Sequence, residues 1–365
     1  MLKLLLYPFA LLYGLFTEIR NRLYDVKTLK SCEFDFPVIS IGNITVGGTG
    51  KTPHTEYLLR LLSGNIQIAA LSRGYKRKTK DFRLVETSST VNEVGDEPLQ
   101  IKHKFPMATV AVSRNRVKGI RRLMQEKPSP DMVILDDAFQ HRRVLPGLNI
   151  LLVDYNKPLA EDHLLPVGRL RENVVQSKRA NIIIFTKCPA ELTPIQKRIL
   201  AKDMYRFPYQ DIFFSTMVYD EIFPAFPEAL PVSELGRLRD MSALGLAGIA
   251  SPQYFLDYLS GKFRKVYPLT FPDHYAYTEK TISKILHLFE EMRHSRKIIV
   301  VTEKDLVKLW EMRLPFELRS VLYYLPMKVK FLAKEGQSFD EKILEYVGED
   351  KSYRGVHQGE YEFQN

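Results

Sequence analysis

Short apolar runs rich in Val, Ile and Leu alternate along the chain with segments whose apolar positions recur every three or four residues. The runs at 36–41, 66–71, 109–112, 132–135, 148–154 and 181–186 have the length and composition of buried strands. Between them, the segment 55–62 carries Tyr57, Leu58, Leu61 and Leu62 at helical spacing. Such alternation predicts a mostly parallel sheet with helices on both faces. From about 204 to 235 the pattern changes. The strand-like stretch 211–219 is flanked by Pro208, Pro224, Pro227 and Pro231, which suggests a hairpin-like connector. A second alternation follows, with apolar runs at 243–249, 266–271 and 297–302 and a helix over 278–293. A last apolar stretch, 320–331, precedes a helix near 339–346 and a polar tail. The expected organisation is therefore a lead-in over 1–33, a first α/β domain over 34–203, a linker over 204–238 and a smaller α/β domain over 239–365.

The first strand-to-helix junction carries chemistry. Ile44-Thr45-Val46-Gly47-Gly48-Thr49-Gly50-Lys51-Thr52-Pro53 places a glycine-rich turn and Gly-Lys-Thr at the start of a helix, the setting of a P-loop. Its glycines let successive N–H groups converge on one point, and the helix N-terminus adds positive potential there. Residues Thr45, Val46, Gly47, Gly48, Thr49, Gly50, Lys51 and Thr52 are the expected nucleotide-binding set. Lys51 reaches the outer phosphates, and the Thr52 hydroxyl ligates a magnesium ion. The general pattern has glycine at 45, where this chain has Thr45. The fold class is thus α/β of the P-loop NTPase type, with a second, smaller α/β domain. Met132-Val133-Ile134-Leu135-Asp136-Asp137 is a buried strand ending in acid, as a Walker B element does. Adjacent carboxylates there repel unless a cation sits nearby, so Asp136 and Asp137 are both metal candidates. Thr186-Lys187-Cys188-Pro189 has Pro189 where a guanine-reading loop needs Asp, which favours ATP over GTP.

Composition narrows the class. A chain of 365 residues, 45% apolar and 26% charged, has ample material for a core. Cys32 and Cys188, far apart, suit a reducing compartment and exclude a disulfide scaffold. The net charge of +10 calls for acidic partners, with nucleic acid, anionic lipid and phosphorylated substrates all possible. Basic residues gather at strand ends, where ligands bind in open sheets. They are Arg73 in Ser72-Arg73-Gly74-Tyr75, then Arg114 and Arg116, although a solvated loop equally accounts for the four further cations at 77–83. The loop with Arg169, Arg171 and Glu172 is suited to phosphate contact. Taken alone, Gly95-Asp96-Glu97-Pro98 is a helix start with an aspartate cap, and His274 is a capping or surface residue.

The uncharged run 4–16 is shorter than the roughly 20 residues of a membrane span, and Pro8 interrupts any straight helix. Arg20, Arg22, Lys27 and Lys30 follow it. This arrangement suits a segment lying in the membrane interface near anionic headgroups; a buried N-terminal helix is the alternative.

Together with Gly42 to Pro53, the motifs Ser72-Arg73-Gly74-Tyr75, Val94-Gly95-Asp96-Glu97-Pro98, Asp136-Asp137-Ala138-Phe139-Gln140-His141, Gly168-Arg169-Leu170-Arg171-Glu172, Phe271-Pro272-Asp273-His274 and Thr302-Glu303-Lys304-Asp305 resemble the tetraacyldisaccharide 4'-kinase family of lipid A biosynthesis. The resemblance spans about residues 40–308, and Thr45 matches that family's own version of the loop. It implies transfer of the γ-phosphate of ATP, with Mg2+, to the 4'-hydroxyl of an acylated glucosamine disaccharide 1-phosphate. It further implies a catalytic set of Lys51, Asp96 as general base and His274 from the second domain as its partner. Arg73, Arg114, Arg116, Arg169, Arg171 and Glu172 are implied substrate or phosphate contacts. A monomer is expected, held through residues 1–25 to an anionic membrane surface at the cytoplasmic face of the bacterial inner membrane, as a peripheral protein with no nucleic-acid partner. A nucleotide-switched membrane GTPase or ATPase is the alternative of another class. A soluble kinase of a small phosphorylated sugar is a third reading.

Overall fold

Two sheets, joined at two crossings, carry all the strands of the described residues. The computed structural model describes residues 2–64, 66–204 and 207–361. Strands are numbered along the chain. The larger sheet holds β1 (Val38–Gly42), β2 (Ile68–Ser72), β3 (Arg83–Leu84), β4 (Thr109–Val112), β5 (Met132–Asp136), β6 (Leu148–Asp154), β7 (Ile182–Thr186), β8 (Asp211–Tyr219) and β14 (Met327–Phe331). The smaller holds β9 (Phe223–Pro224), β10 (Ser242–Ala247), β11 (Lys265–Thr270), β12 (Lys297–Thr302) and β13 (Leu322–Leu325).

The larger sheet runs β14-β8-β7-β6-β1-β5-β2-β4-β3, parallel from β8 to β4 with an antiparallel strand at each edge. β1 lies between β5 and β6, with Ile41 opposite Asp136. The turn after β1 and the acidic end of β5 therefore open at the same edge. Both faces are covered, which is why these strands are apolar throughout rather than alternating. The helices Lys51–Leu62 and Asp96–Lys104 send Leu58, Leu59, Leu62, Leu99 and Ile101 into the core over Ile39, Ile41 and Ile134. In the smaller sheet, four parallel strands in the order β11-β10-β12-β13 carry the short antiparallel β9 at one edge.

The domain boundaries differ from those expected. The stretch 211–219 is no free-standing linker: β8 pairs with β7 in the larger sheet, sending Phe213 and Phe214 into its cores. The apolar stretch 320–331 divides at Pro326 into β13 in one sheet and β14 in the other. β14 pairs antiparallel with β8, so the hairpin-like connection is built from strands about a hundred residues apart. The helix Glu335–Tyr361 then returns Phe339, Ile343 and Val347 to the first core. The last part of the expected second domain thus completes the first.

The N-terminal helix Leu2–Asp25 runs through Pro8, contrary to the expected interruption. Its docking offsets the backbone hydrogen bond that proline forfeits. Ala10, Thr17 and Asn21 are buried, and Tyr13 donates its hydroxyl to the Arg171 carbonyl at 2.9 Å. Arg20 bonds Glu172 at 2.6 Å, and Arg142 reaches the Asn21 carbonyl at 2.7 Å. The opposite face is bare: Phe9 and Phe16 are 62% and 68% exposed, beside Leu5 and Leu12. No helix among the described residues is long and apolar enough to cross a membrane.

Candidate active site

The loop after β1 is held by its carbonyls. Thr186 Oγ1 donates to the Thr49 carbonyl at 2.9 Å, and Lys187 Nζ to the Gly48 carbonyl at 2.5 Å. The His54 ring donates from Nδ1 to the Gly50 carbonyl at 2.7 Å and accepts from Ser215 at Nε2. Burial pushes that imidazole down to about 4, which keeps it neutral and in this tautomer. With three carbonyls fastened on one side, the amides of Gly47 to Gly50 are left unspent on backbone carbonyls among the described residues. Gly50 has φ 87°, and a Cβ there would fall 2.2 Å from Met217 Cε, so only glycine fits. The expected set narrows at its start. The Val46 amide donates to the Arg169 carbonyl at 2.8 Å, and the Ile44 carbonyl accepts from Arg171. Thr45 and Val46 are therefore the stem of the loop, and its unspent amides begin at Gly47.

Lys51 Nζ lies 3.7 Å from Asp137. Asp136 is buried at the end of β5; one carboxylate oxygen accepts from Thr55 at 3.3 Å, while the other is buried without a partner. Burial raises the Asp136 carboxyl to about 7, reinforced by Glu97 and Asp137 and opposed by Lys51 and Arg116. Burial also acts upward on Asp137, but Lys51, Arg171 and Arg116 outweigh it and hold this carboxyl below its usual range. A buried, orphaned carboxylate oxygen on Asp136, with the neighbouring carboxylate of Asp137, fits a hydrated divalent cation. Magnesium takes only one or two protein carboxylates, with phosphate and water completing its shell.

Asp96 opens its helix and is buried, its Oδ1 accepting from the Glu97 amide at 3.0 Å. His274, from the loop after β11, donates Nδ1–H to Asp96 Oδ2 at 2.7 Å, and its Nε2 accepts from Lys304 at 3.2 Å. Lys304 and Lys308 stand 3.8 and 3.9 Å from the same carboxylate. Burial pushes Asp96 up, yet the His274 hydrogen bond and the two lysines outweigh it, leaving an ionised carboxylate below the usual range. Glu97 faces the same cleft; burial raises it, with Lys304 and Lys51 opposing and Asp96 and Asp137 adding. The helix carrying the lysines is fixed by Asp305, which accepts from the Gly248 amide at 2.7 Å. A Cβ at 248 would sit 2.6 Å from that carboxylate, which accounts for the glycine after β10.

The basic candidates separate. Arg171 lies 3.3 Å from Asp137 and 3.4 Å from Gln140, at the cleft. Arg169 is paired with Asp162 at 2.9 Å. Arg116 is buried, giving its Nη groups to the carbonyls of Ser113 and Asp136, so it braces the end of β5. Burial lowers it to about 10. Glu172 is fully buried between Arg20 and Arg179 and ties the N-terminal helix to the core. Arg20 is thereby turned inward, while Arg22, Lys27 and Lys30 remain exposed. Arg73 and Arg114 are exposed. Arg114, Arg142 and Arg143 line a hollow of about 400 Å³ with Arg20, Gln140 and His141, beside the N-terminal helix. A second hollow of about 440 Å³ opens beyond β6, β7 and β8, lined by Tyr155, Asn156, Lys187, Pro189, Met217 and Tyr254.

Lys304, Glu97, Thr186, Lys187 and His54 join the site only in three dimensions. Lys304 and Glu97 lie inside the motifs Thr302-Glu303-Lys304-Asp305 and Val94-Gly95-Asp96-Glu97-Pro98, and Thr186-Lys187 is half of a guanine signature. His54, one turn into the helix after the loop, carries no distinguishing signal in the sequence.

A family model described as LpxK, tetraacyldisaccharide-1-P 4'-kinase, matches residues 2–348. The tetraacyldisaccharide 4'-kinase of Phocaeicola vulgatus is 45% identical over 345 residues, 94% of each chain. That of Flavobacterium johnsoniae is 43% identical over 350 residues, 96% of this chain and 98% of its own. The crystal structure of LpxK from Aquifex aeolicus in complex with ATP superposes with a TM-score of 0.73 at 31% identity, covering 95% of this chain and all of that one.

Proposed function

The chain belongs to the tetraacyldisaccharide 4'-kinase family, and on that premise we propose how it moves the γ-phosphate of ATP onto the 4'-hydroxyl of a tetraacylated glucosamine disaccharide 1-phosphate. The observation that carries the reading is the meeting, in one cleft, of a phosphate loop from one lobe with a carboxylate whose partners come from the other.

The unspent amides of 47–50 and Lys51 take the β- and γ-phosphates, and the hollow bounded by Lys187, Pro189 and Tyr254 receives the base. Thr52, Asp136 and Asp137 would hold magnesium, which neutralises charge on the phosphates when bound. Asp96 accepts the proton of the sugar hydroxyl as it attacks. His274 fixes the orientation of that carboxylate through Nδ1–H, and Lys304 fixes the ring through Nε2. An ionised carboxylate at hydrogen-bond reach suits a poorly acidic alcohol, and transfer rests mainly on positioning and charge neutralisation. Arg171 at Asp137 completes the cationic surround.

The basic hollow with Arg114, Arg142 and Arg143 suits the phosphate already on the substrate, since it lies between the cleft and the N-terminal helix. The bare face of that helix then lies in the membrane interface, where the acyl chains are, as a peripheral attachment on the ATP-bearing cytoplasmic side. A switch GTPase or ATPase has no need of the Asp96–His274–Lys304 constellation.

The test is product analysis. Mixed micelles of the disaccharide 1-phosphate with Mg-ATP are expected to give a second phosphomonoester, assigned to the 4' position by 31P NMR. ATP consumption at the same rate without lipid, and no new ester, would contradict the reading.

A further inference from the structure

Three helices start at the cleft, and a lysine at the far end of one of them binds the other two. Lys51 and Thr52 open the helix Lys51–Leu62, Asp96 opens Asp96–Lys104, and Lys304 lies in the first turn of Glu303–Leu309. Lys104, the last residue of the second helix, places Nζ 2.6 Å from Glu56 on the first and 2.8 and 3.0 Å from both carboxylate oxygens of Glu303 on the third. The other oxygen of Glu56 accepts from Gln100 at 2.8 Å, and Glu303 also accepts the Met327 amide at 3.0 Å where the chain crosses back between sheets. Glu56 is only 1% exposed, so its charge has no solvent to fall back on.

The third helix is itself shared between the lobes. Leu306 and Leu309 belong to the core of the smaller sheet, while Val307 belongs to that of the larger. Trp310, just beyond, packs its ring 4.6 Å from His103, the neighbour of Lys104.

We propose that Lys104 and Glu303 form a tether between the lobes that sets, through Lys304, the reach of His274 to Asp96, resting on the reading of Asp96 given above. Both are positioning residues, remote from the reacting atoms. With the tether intact, Glu303 is fixed against the helix that Asp96 begins, and the next residue, Lys304, is delivered to His274 Nε2. Without it, the third helix is free to shift by an ångström or so, enough to lengthen the Lys304–His274 and His274–Asp96 contacts. The nucleotide loop, whose anchors are Thr186, Lys187 and His54, is unaffected.

Glu303→Ala tests this cleanly, because it leaves Lys104 paired with Glu56 inside the first lobe. The variant is expected to lose about tenfold in kcat with ATP affinity unchanged. In a His274→Ala background, already slowed, the same change is expected to cost less than about twofold, since the arm it acts through is gone. An unchanged kcat for Glu303→Ala overturns the tether. An equal fold-loss in both backgrounds overturns its action through His274. A His274→Ala enzyme as fast as the wild type contradicts the site reading itself, and the tether falls with it. Should Glu303→Ala not fold, Glu303→Gln, which keeps the shape and removes the charge, is measured in the same two backgrounds.

Discussion

Asp96 Oδ2 and His274 Nδ1 lie 2.7 Å apart across the cleft, although 178 positions separate them in the chain. The carboxylate comes with the helix that follows the edge of the larger sheet, the imidazole with the loop after β11 of the smaller. A proton acceptor assembled in this way ties chemistry to the relative placement of the lobes.

Asp96→Asn removes the acceptor and keeps the shape. The expected loss in kcat is roughly 10²–10⁴-fold, with ATP binding by calorimetry within about twofold of wild type, since the nucleotide loop is anchored elsewhere. A comparable loss of nucleotide affinity would place Asp96 in the wrong role.

The pH profile of His274→Ala carries a signed expectation. In the intact protein, burial raises Asp96 and the His274 bond with Lys304 and Lys308 overrides it, so the carboxylate stays ionised below its usual range. Without the His274 donor, burial is less opposed and the carboxyl rises. The acid limb of kcat is therefore expected to move to higher pH. The stability this ionised group contributes is present above its unfolded pKa and lost as pH falls through the lowered folded value. In the variant the folded value lies closer to the unfolded one, so less stability is lost and the loss is complete at higher pH. An acid limb unmoved by the substitution would contradict the pairing.

Glu172 is fully buried between Arg20 and Arg179. Glu172→Ala strands a buried cation and is expected to destabilise by roughly 3–5 kcal/mol, measured by urea unfolding, and to loosen the N-terminal helix toward protease. A surface-like change below about 0.5 kcal/mol would contradict this anchor.

The bare face of the N-terminal helix is expected to carry membrane affinity. Phe9→Ser with Leu12→Ser and Phe16→Ser removes three exposed apolar side chains, each worth about 1.5–3 kcal/mol if fully inserted. Sedimentation with anionic vesicles is expected to fall at least about tenfold. Unchanged partitioning would place the contact elsewhere.

What the chain discloses of itself follows from how local each feature is. The nucleotide loop and the acidic end of β5 were legible because strand, turn and helix succeed one another within a few residues. The Asp96–His274 pair entered only through family resemblance, since nothing near either residue announces a partner 178 positions away. β8 passed for a linker because its edge partner, β14, lies about a hundred residues on, beyond an entire second sheet. The burial of Glu172 is not legible in the sequence, because one of the arginines paired with it comes from the N-terminal helix, a long-range pairing that spacing cannot show. Arg116 likewise looked available until its guanidinium was seen to be spent on backbone carbonyls.

Radiolabel transfer from γ-labelled ATP to the tetraacyl disaccharide 1-phosphate, in wild type and Lys51→Ala, tests the central claim most directly. The wild type is expected to label the lipid in a magnesium-dependent way, and Lys51→Ala to lose at least about 10²-fold in transfer rate. Lipid labelled by Lys51→Ala at the wild-type rate would contradict the role of this loop, and with it the mechanism built on it.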